Sequence, residues 1–163
     1  MRRLVPILIA LMLVFCCTSY ADETDGEVFQ MYVLCKPNDY VNARYRPSTK
    51  SEVMGRLDCG DAVDTCGETK KDNQGRTWVK IFGFEANEAW VCKSYLQESP
   101  VVVCECTGYV ERNGRVALRK LPNGKRIKWL KNGEEVNIIA MSDEWVLTEK
   151  GYVKREMLYI EEE

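Results

Sequence analysis

Val41-Asn42-Ala43-Arg44-Tyr45-Arg46-Pro47 returns 75 positions later as Val116-Ala117-Leu118-Arg119-Lys120-Leu121-Pro122. Each version is a short strand of alternating apolar and polar residues that runs into a proline, which cannot extend a central strand. Further along, Val53 and Leu57 precede Cys59-Gly60 in the first version, and Ile127 and Leu130 precede Asn132-Gly133 in the second. Val63 then matches Val136 and Trp78 matches Trp145, so the register slips only through small loop deletions. The endings also agree: Trp90-Val91 and Tyr95-Leu96 against Tyr152-Val153 and Met157-Leu158. A repeat of roughly 60 residues is near the lower size at which a domain folds alone. The chain is therefore expected to carry two small domains rather than a solenoid, and a duplicated small module points to binding more than to catalysis.

Between these landmarks, runs rich in Val, Ile, Thr, Tyr and Trp alternate with turn residues, and nothing sustains a helical period. In the first module the pattern predicts strands near Val28–Cys35, Tyr40–Arg44, Glu52–Leu57, Ala62–Glu68, Thr77–Phe82 and Ala89–Cys92. In the second they are expected near Cys104–Glu111, Val116–Arg119, Arg126–Leu130, Glu135–Met141, Glu144–Thr148 and Gly151–Val153. Asp58-Cys59-Gly60-Asp61, Asn73-Gln74-Gly75, Asn113-Gly114, Asn123-Gly124 and Asn132-Gly133 read as turns, and Ser94-Tyr95-Leu96 as one tight helical turn. So many short strands in so short a unit are expected to close into a barrel, because closure protects their edges. The segment after Gln97, with Pro100 inside it, turns apolar, so the two modules are expected to touch.

Met1-Arg2-Arg3 followed by an apolar run to Phe15 and by Ser19-Tyr20-Ala21 reads as an export signal. The apolar run is too short to span a membrane, which takes roughly 20 residues. Cys16 and Cys17 offer lipid attachment as the lesser alternative, since Phe15 is bulky where lipoprotein signals carry a small residue. The chain holds 23 Lys and Arg against 25 Asp and Glu, and removing residues 1–21 takes Arg2 and Arg3 with it, a shift in net charge from −2 to −4. That is too modest to imply a polyanion partner for the whole molecule, and no nucleic-acid partner is expected. Arg112, Arg115, Arg119, Lys120, Lys125, Arg126, Lys128 and Lys131 nevertheless form a stretch without an acid. A solvated face is the plainer reading of it, and contact with an anionic envelope polymer the sharper one.

Cys35, Cys59, Cys66, Cys92, Cys104 and Cys106 remain after cleavage, an even number that in a small exported protein reads as disulfides. Metal binding fits poorly: the chain has no histidine, and its only close pair is Cys104-Glu105-Cys106. The lack of histidine also removes Cys–His and Ser–His nucleophilic pairs. Asp143-Glu144 and Glu134-Glu135 sit in expected turns, where solvated carboxylates are the plainer reading, and no glycine-rich phosphate loop is present. The chain reads as a non-enzyme without a cofactor.

Val41-Asn42-Ala43-Arg44, Pro47-Ser48-Thr49, Val53-Met54-Gly55-Arg56-Leu57 and Gly60 resemble the opening of bacterial SH3 (SH3b) domains. Trp78-Val79-Lys80, Glu88-Ala89-Trp90-Val91 and Tyr95-Leu96 resemble the same family's close. The second copy is similar through Val116-Ala117-Leu118-Arg119, Pro122, Gly133, Trp145-Val146, Gly151-Tyr152-Val153 and Leu158, with Tyr152 at the place of Trp90. The resemblance implies an all-β chain of two tandem small SH3-like barrels after an N-terminal signal helix. The expected division is a signal peptide over 1–21, an acidic leader over 22–29, a first barrel over 30–97, a linker over 98–104, a second barrel over 105–160 and an acidic tail over 161–163.

The resemblance also implies a secreted or periplasmic, non-catalytic module that contacts cell-wall peptidoglycan or other envelope material. Recognition of an exported protein partner, as a scaffold module, is the alternative. Such modules accompany hydrolase domains; this chain ends at Glu163 after the second copy, so the expectation is action alone or through a partner chain. In barrels of this type the ligand would meet aromatic rings and arginines beside the loop after the first strand pair: Tyr40, Arg44, Tyr45, Trp78 and Tyr95, then Arg119, Trp129, Trp145 and Tyr152. Core duty competes for Trp78 and Trp145 and is expected for Trp90, Tyr152, Leu96 and Leu158, whereas Trp129, amid the basic stretch, is the best surface candidate. First and last strands commonly adjoin in such barrels, which favours a Cys35–Cys92 disulfide and leaves Cys59 and Cys66 for Cys104 and Cys106.

Overall fold

The computed structural model describes residues 27–84 and 87–161. The expected signal peptide with Cys16 and Cys17, the start of the acidic leader and the end of the acidic tail lie outside the described residues.

The described chain is all-β apart from two single 3-10 turns. Its first half contains β1 (Phe29–Val33), β2 (Tyr40–Arg44), β3 (Val53–Asp58), β4 (Ala62–Thr65), β5 (Thr69–Lys71), β6 (Thr77–Phe84), β7 (Asn87–Cys92), the turn Lys93–Tyr95 and β8 (Leu96–Gln97). The second contains β9 (Val102–Val110), β10 (Arg115–Arg119), β11 (Arg126–Lys131), β12 (Glu135–Met141), β13 (Trp145–Thr148), β14 (Gly151–Lys154), the turn Arg155–Met157 and β15 (Leu158–Ile160). Strand β9 thus starts inside the stretch read as linker.

Strand order in the first half is β3-β2-β7-β6-β5 in one sheet and β4-β1-β8 in another; in the second it is β11-β10-β14-β13-β12-β9-β15 in a single sheet. If β4 and β5 are taken as one interrupted strand matching β12, the two orders agree position by position. The interruption corrects the continuous strand expected over Ala62–Glu68. At Gly67 the backbone takes φ +77°, a value that L side chains rarely adopt, so the ladder cannot run through. Thr65 stitches the break: its hydroxyl donates to the Lys80 carbonyl at 2.6 Å and accepts from the Gly67 N–H at 2.9 Å. The second half keeps β12 continuous and absorbs the same bend as a bulge between Ile138 and Ala140.

Alternation along β2 buries Val41 and Ala43 and along β10 buries Val116 and Leu118, each pair facing its own core. The first core gathers Met31, Val33, Leu57, Val79, Ile81 and Val91 among others. The second gathers Val110, Val116, Leu118, Leu130 and Val153. A third cluster lies between the halves: Leu34 packs with Ala140, Trp145, Leu147 and Tyr152, flanked by Cys59, Val101 and Leu121. All four residues of β13 are buried for this reason. Val146 and Thr148 turn to one side, while Trp145 and Leu147 turn to the first half. Burying a side chain of that size removes about 1.5–3 kcal/mol worth of apolar surface from water.

Polar bonds fasten the same joint. The Tyr152 hydroxyl donates to the Leu34 carbonyl at 3.3 Å, and the Asp143 N–H donates to the Ser99 hydroxyl at 3.0 Å. Gly151 is required where β14 crosses β10, because a Cβ there would stand 2.4 Å from the Arg119 carbonyl oxygen.

Candidate functional site

Strands β2 and β6 and the turn Lys93–Tyr95 bring Tyr40, Arg44, Trp78 and Tyr95 to one groove of ≈260 Å³, together with Asn42, Thr49 and Arg76. Val41 and Cys92 complete its lining from the first half, and Leu121 closes it from the second. A second groove of ≈370 Å³ shares Tyr40, Tyr95 and Leu121 and continues past Asp39, Lys120, Ile127, Lys150 and Tyr152. The three shared side chains mean that the two hollows adjoin, along the seam between the halves. Tyr40 presents 42% of its surface to solvent at this seam, with the Arg56 guanidinium 4.1 Å from its ring centroid. Tyr95 is half-buried, and burial pushes its hydroxyl pKa above the ordinary tyrosine value, so it remains a neutral donor.

The groove's polar wall is built around Asp72. Its carboxylate accepts from the Trp78 indole N–H at 3.0 Å and from the Arg76 Nε at 2.7 Å, and Arg76 reaches on to the Thr49 hydroxyl at 3.1 Å. Partial burial pushes the Asp72 carboxyl upward. The Trp78 indole, the Arg76 backbone and side chain and the Gln74 N–H outweigh it and hold the carboxyl at about 2. Trp78 is 2% exposed, so its ring stiffens the wall and offers little contact area.

Both repeated arginines serve as loop clamps. Arg44 Nη1 donates to the Ser51 carbonyl at 2.7 Å, and Arg119 Nη1 donates to the Gly124 carbonyl at 2.8 Å. Each holds the loop that follows its own strand, which is why the residue recurs at the same place. One guanidinium donor of each is thus committed to the fold.

Apart from Tyr152, which lines the second hollow, the other sequence candidates stand away from these grooves. Tyr45 is 57% exposed in the loop after β2, with Arg46 5.7 Å from its ring. Trp145, 1% exposed, is enclosed between the halves, and Tyr152 joins them through its hydroxyl. Trp129 is 43% exposed on β11, with the Arg126 guanidinium 4.3 Å from its centroid. It lies two positions from Ile127, which lines the second hollow and is the extra residue where the β10–β11 register shifts. Within the basic stretch, Arg119, Arg126 and Lys128 are already engaged, the last by Glu134 at 2.6 Å.

Sequence reasoning missed Leu121, Arg76 and Asp72. Leu121 had a legible signal, since it stands where the first copy has Arg46 and is apolar in a loop. Asp72 and Arg76 had none beyond their i, i+4 spacing.

All six described cysteines are free thiols. Cys35 is hydrogen-bonded to Cys59, its expected partner Cys92 lies instead near the Ser94 hydroxyl at 3.9 Å, and Cys104 lies 3.6 Å from Cys106. The expected pairing put Cys35 with Cys92 because last and first strands adjoin. In the structure β8, not β7, is the late strand beside β1, and β4 takes its other side. That arrangement carries the Cys59 turn to Cys35. The thiol bond and burial push the Cys35 pKa up, and the same bond pulls Cys59 down to about 7. Among the described residues no group of three or more His, Cys, Asp or Glu is placed to hold a metal ion.

Residues 39–97 match the family model of the bacterial SH3 domain. No curated protein sequence matches the chain. Among solved structures, the chain is similar to NlpC2 from Trichomonas vaginalis, at 14% identity and TM-score 0.33, over 83% of this chain and 49% of that one. NlpC1 from the same organism gives 13% and 0.33, over 86% and 49%. A putative autolysin from Listeria monocytogenes gives 11% and 0.32, over 85% and 64%. The chain spans about half the length of the first two.

Proposed function

We propose that the chain is an exported, non-catalytic binding protein whose seam groove holds an extended strand of cell-wall material, peptidoglycan being the favoured ligand. Residues 102–160 are, on this reading, a second and divergent SH3-like module that buttresses the first. The observation that carries it is the joint construction of the groove: Tyr40 and Tyr95 from the half that matches the bacterial SH3 family, closed by Leu121 from the other. Aromatic faces suit sugar rings and peptide planes, and the lysines at the rim, Lys120 and Lys150, suit the carboxylates of wall peptides.

Co-sedimentation with purified insoluble peptidoglycan tests this. The protein is expected in the pellet at low and at high salt, and Tyr40→Ala is expected to weaken binding about tenfold. Protein that stays in the supernatant at both salt concentrations overturns the proposal.

A second reading is favoured by Ile127 and Trp129, 53% and 43% exposed on β11 at the edge of its sheet. An exported protein partner would dock there, and the chain would act as a scaffold. Binding to one envelope protein that is lost in Trp129→Ala and indifferent to wall polymer would favour this reading over the first.

A further inference from the structure

Cys104 and Cys106 are neighbours on β9, with their sulfurs 3.6 Å apart, and neither is paired elsewhere in the structure. The strand is irregular at this place. Val103 faces Ala140 and Cys106 faces Ile138, so Cys104 and Glu105 together oppose Ile139 alone. A bulge of this kind leaves a residue outside the ladder, free to adjust without breaking strand pairing. Bringing two sulfurs from van der Waals contact to a covalent length of about 2.05 Å needs a movement of that scale. Both thiols are half-buried and line an open groove, so a small reagent can reach them. The groove is also charged: Glu105, Glu111, Asp143, Glu156 and Glu161 line it against Arg155.

We propose that Cys104 and Cys106 form a redox-active dithiol that closes reversibly to a disulfide within β9 and takes cationic low-molecular-weight disulfides as its oxidant. The Cys106 thiolate attacks one sulfur of the reagent, breaking its S–S bond, forming a mixed disulfide and releasing one thiol. Cys104 then gives up its proton to solvent and attacks the Cys106 sulfur, releasing the second thiol. Two protein thiols are oxidised and one reagent disulfide is reduced to two thiols. Burial and the bond to Cys106 push the Cys104 thiol up, which disfavours Cys104 as the first nucleophile. A ring closed across a single intervening residue is strained and therefore easily reopened. The acidic lining sets the reagent's charge, drawing cations in and repelling anions.

The experiment treats the full chain with cystamine, traps remaining thiols by alkylation and maps the peptides. The peptide holding both cysteines is expected to lose both alkylation sites without gaining a cysteamine adduct, and dithiothreitol is expected to restore both. Cys106→Ser is expected to leave Cys104 open to alkylation or singly adducted. Two persistent adducts, two unreacted thiols or a cross-link to any other cysteine overturns the proposal. For the oxidant class, cystamine is expected to react about tenfold faster than anionic dithiodipropionate at low ionic strength, the gap narrowing with salt. Equal rates at low salt overturn that part.

Discussion

At the strand position occupied by Lys80 in the first half and Leu147 in the second, the two halves part company. The rows around them correspond residue by residue. Arg44 pairs with Trp90 and Trp90 with Lys80 across β2, β7 and β6, as Arg119 pairs with Tyr152 and Tyr152 with Leu147 across β10, β14 and β13. In the first half the outer face carries charge: Lys80 bridges Glu68 at 3.0 Å and Glu88 at 2.7 Å, and Lys70 stands 4.8 Å from the Trp90 ring centroid. In the second, Leu147 and Tyr152 turn the same face apolar and it packs on Leu34. One repeat thus keeps a solvated exterior, while the other spends its exterior on the joint. The groove inherits the asymmetry. Tyr40 and Tyr95 correspond to Arg115 and Met157 in the second repeat, which contributes its wall through a loop residue, Leu121, and through Tyr152 in the adjoining hollow.

The comparison is broken most severely by Leu147→Lys, which writes the first half's residue into the second. An ammonium forced between Leu34 and Trp145 lacks a partner, and the change is expected to cost about 4 kcal/mol or more. Urea denaturation would read it, and the reverse exchange, Lys80→Leu, is expected to be mild. Next come the loop clamps. Arg119→Ala and Arg44→Ala each remove a charged donor from a carbonyl and are expected to cost about 2 kcal/mol each, with similar values if the two clamps are equivalent. Tyr152→Phe, which removes only the hydroxyl bond to Leu34, is expected to cost about 1 kcal/mol.

The smallest effect is a pH dependence, to which Asp72 contributes the most strongly depressed carboxyl. The Asp72 carboxyl is held at about 2 in the folded protein, below its ordinary value of 3.8. A depressed carboxyl stabilises the fold at every pH above its unfolded value and loses that contribution as pH falls through the folded one. Glu68 and Glu134 are also held below their ordinary value by lysines, so thermal stability is expected to be flat above pH ~5 and to decline from there toward pH ~2. Asp72→Asn is expected to flatten that decline and lower the plateau.

Much of the fold was legible because it rests on local rules. The Asn-Gly turns, the alternation in β2 and β10 and the paired prolines state their structure within a few residues. The apolar end of the linker also announced contact between the halves. What escaped was non-local. Nothing near Ala62–Glu68 signals that Gly67 divides a strand whose counterpart, β12, runs through. Arg44 and Arg119 were legible as a repeated pair, but their acceptors are backbone carbonyls, which no side-chain pattern marks. Cys35 and Cys59 meet because β1 lies between β4 and β8, a consequence of strand order. The exchange of Lys80 for Leu147 was visible in the repeat alignment, and a comparison by face would have located the joint from it.

The central claim is that the two halves hold their ligand jointly, at the seam. Titrating the isotopically labelled protein with soluble peptidoglycan fragments and following its NMR resonances tests this most directly. Shifts gathered on Tyr40, Tyr95 and Leu121, and so on both halves at once, are predicted. Shifts confined to Trp129 and its neighbours on β11, or no shifts at saturating fragment, would contradict it.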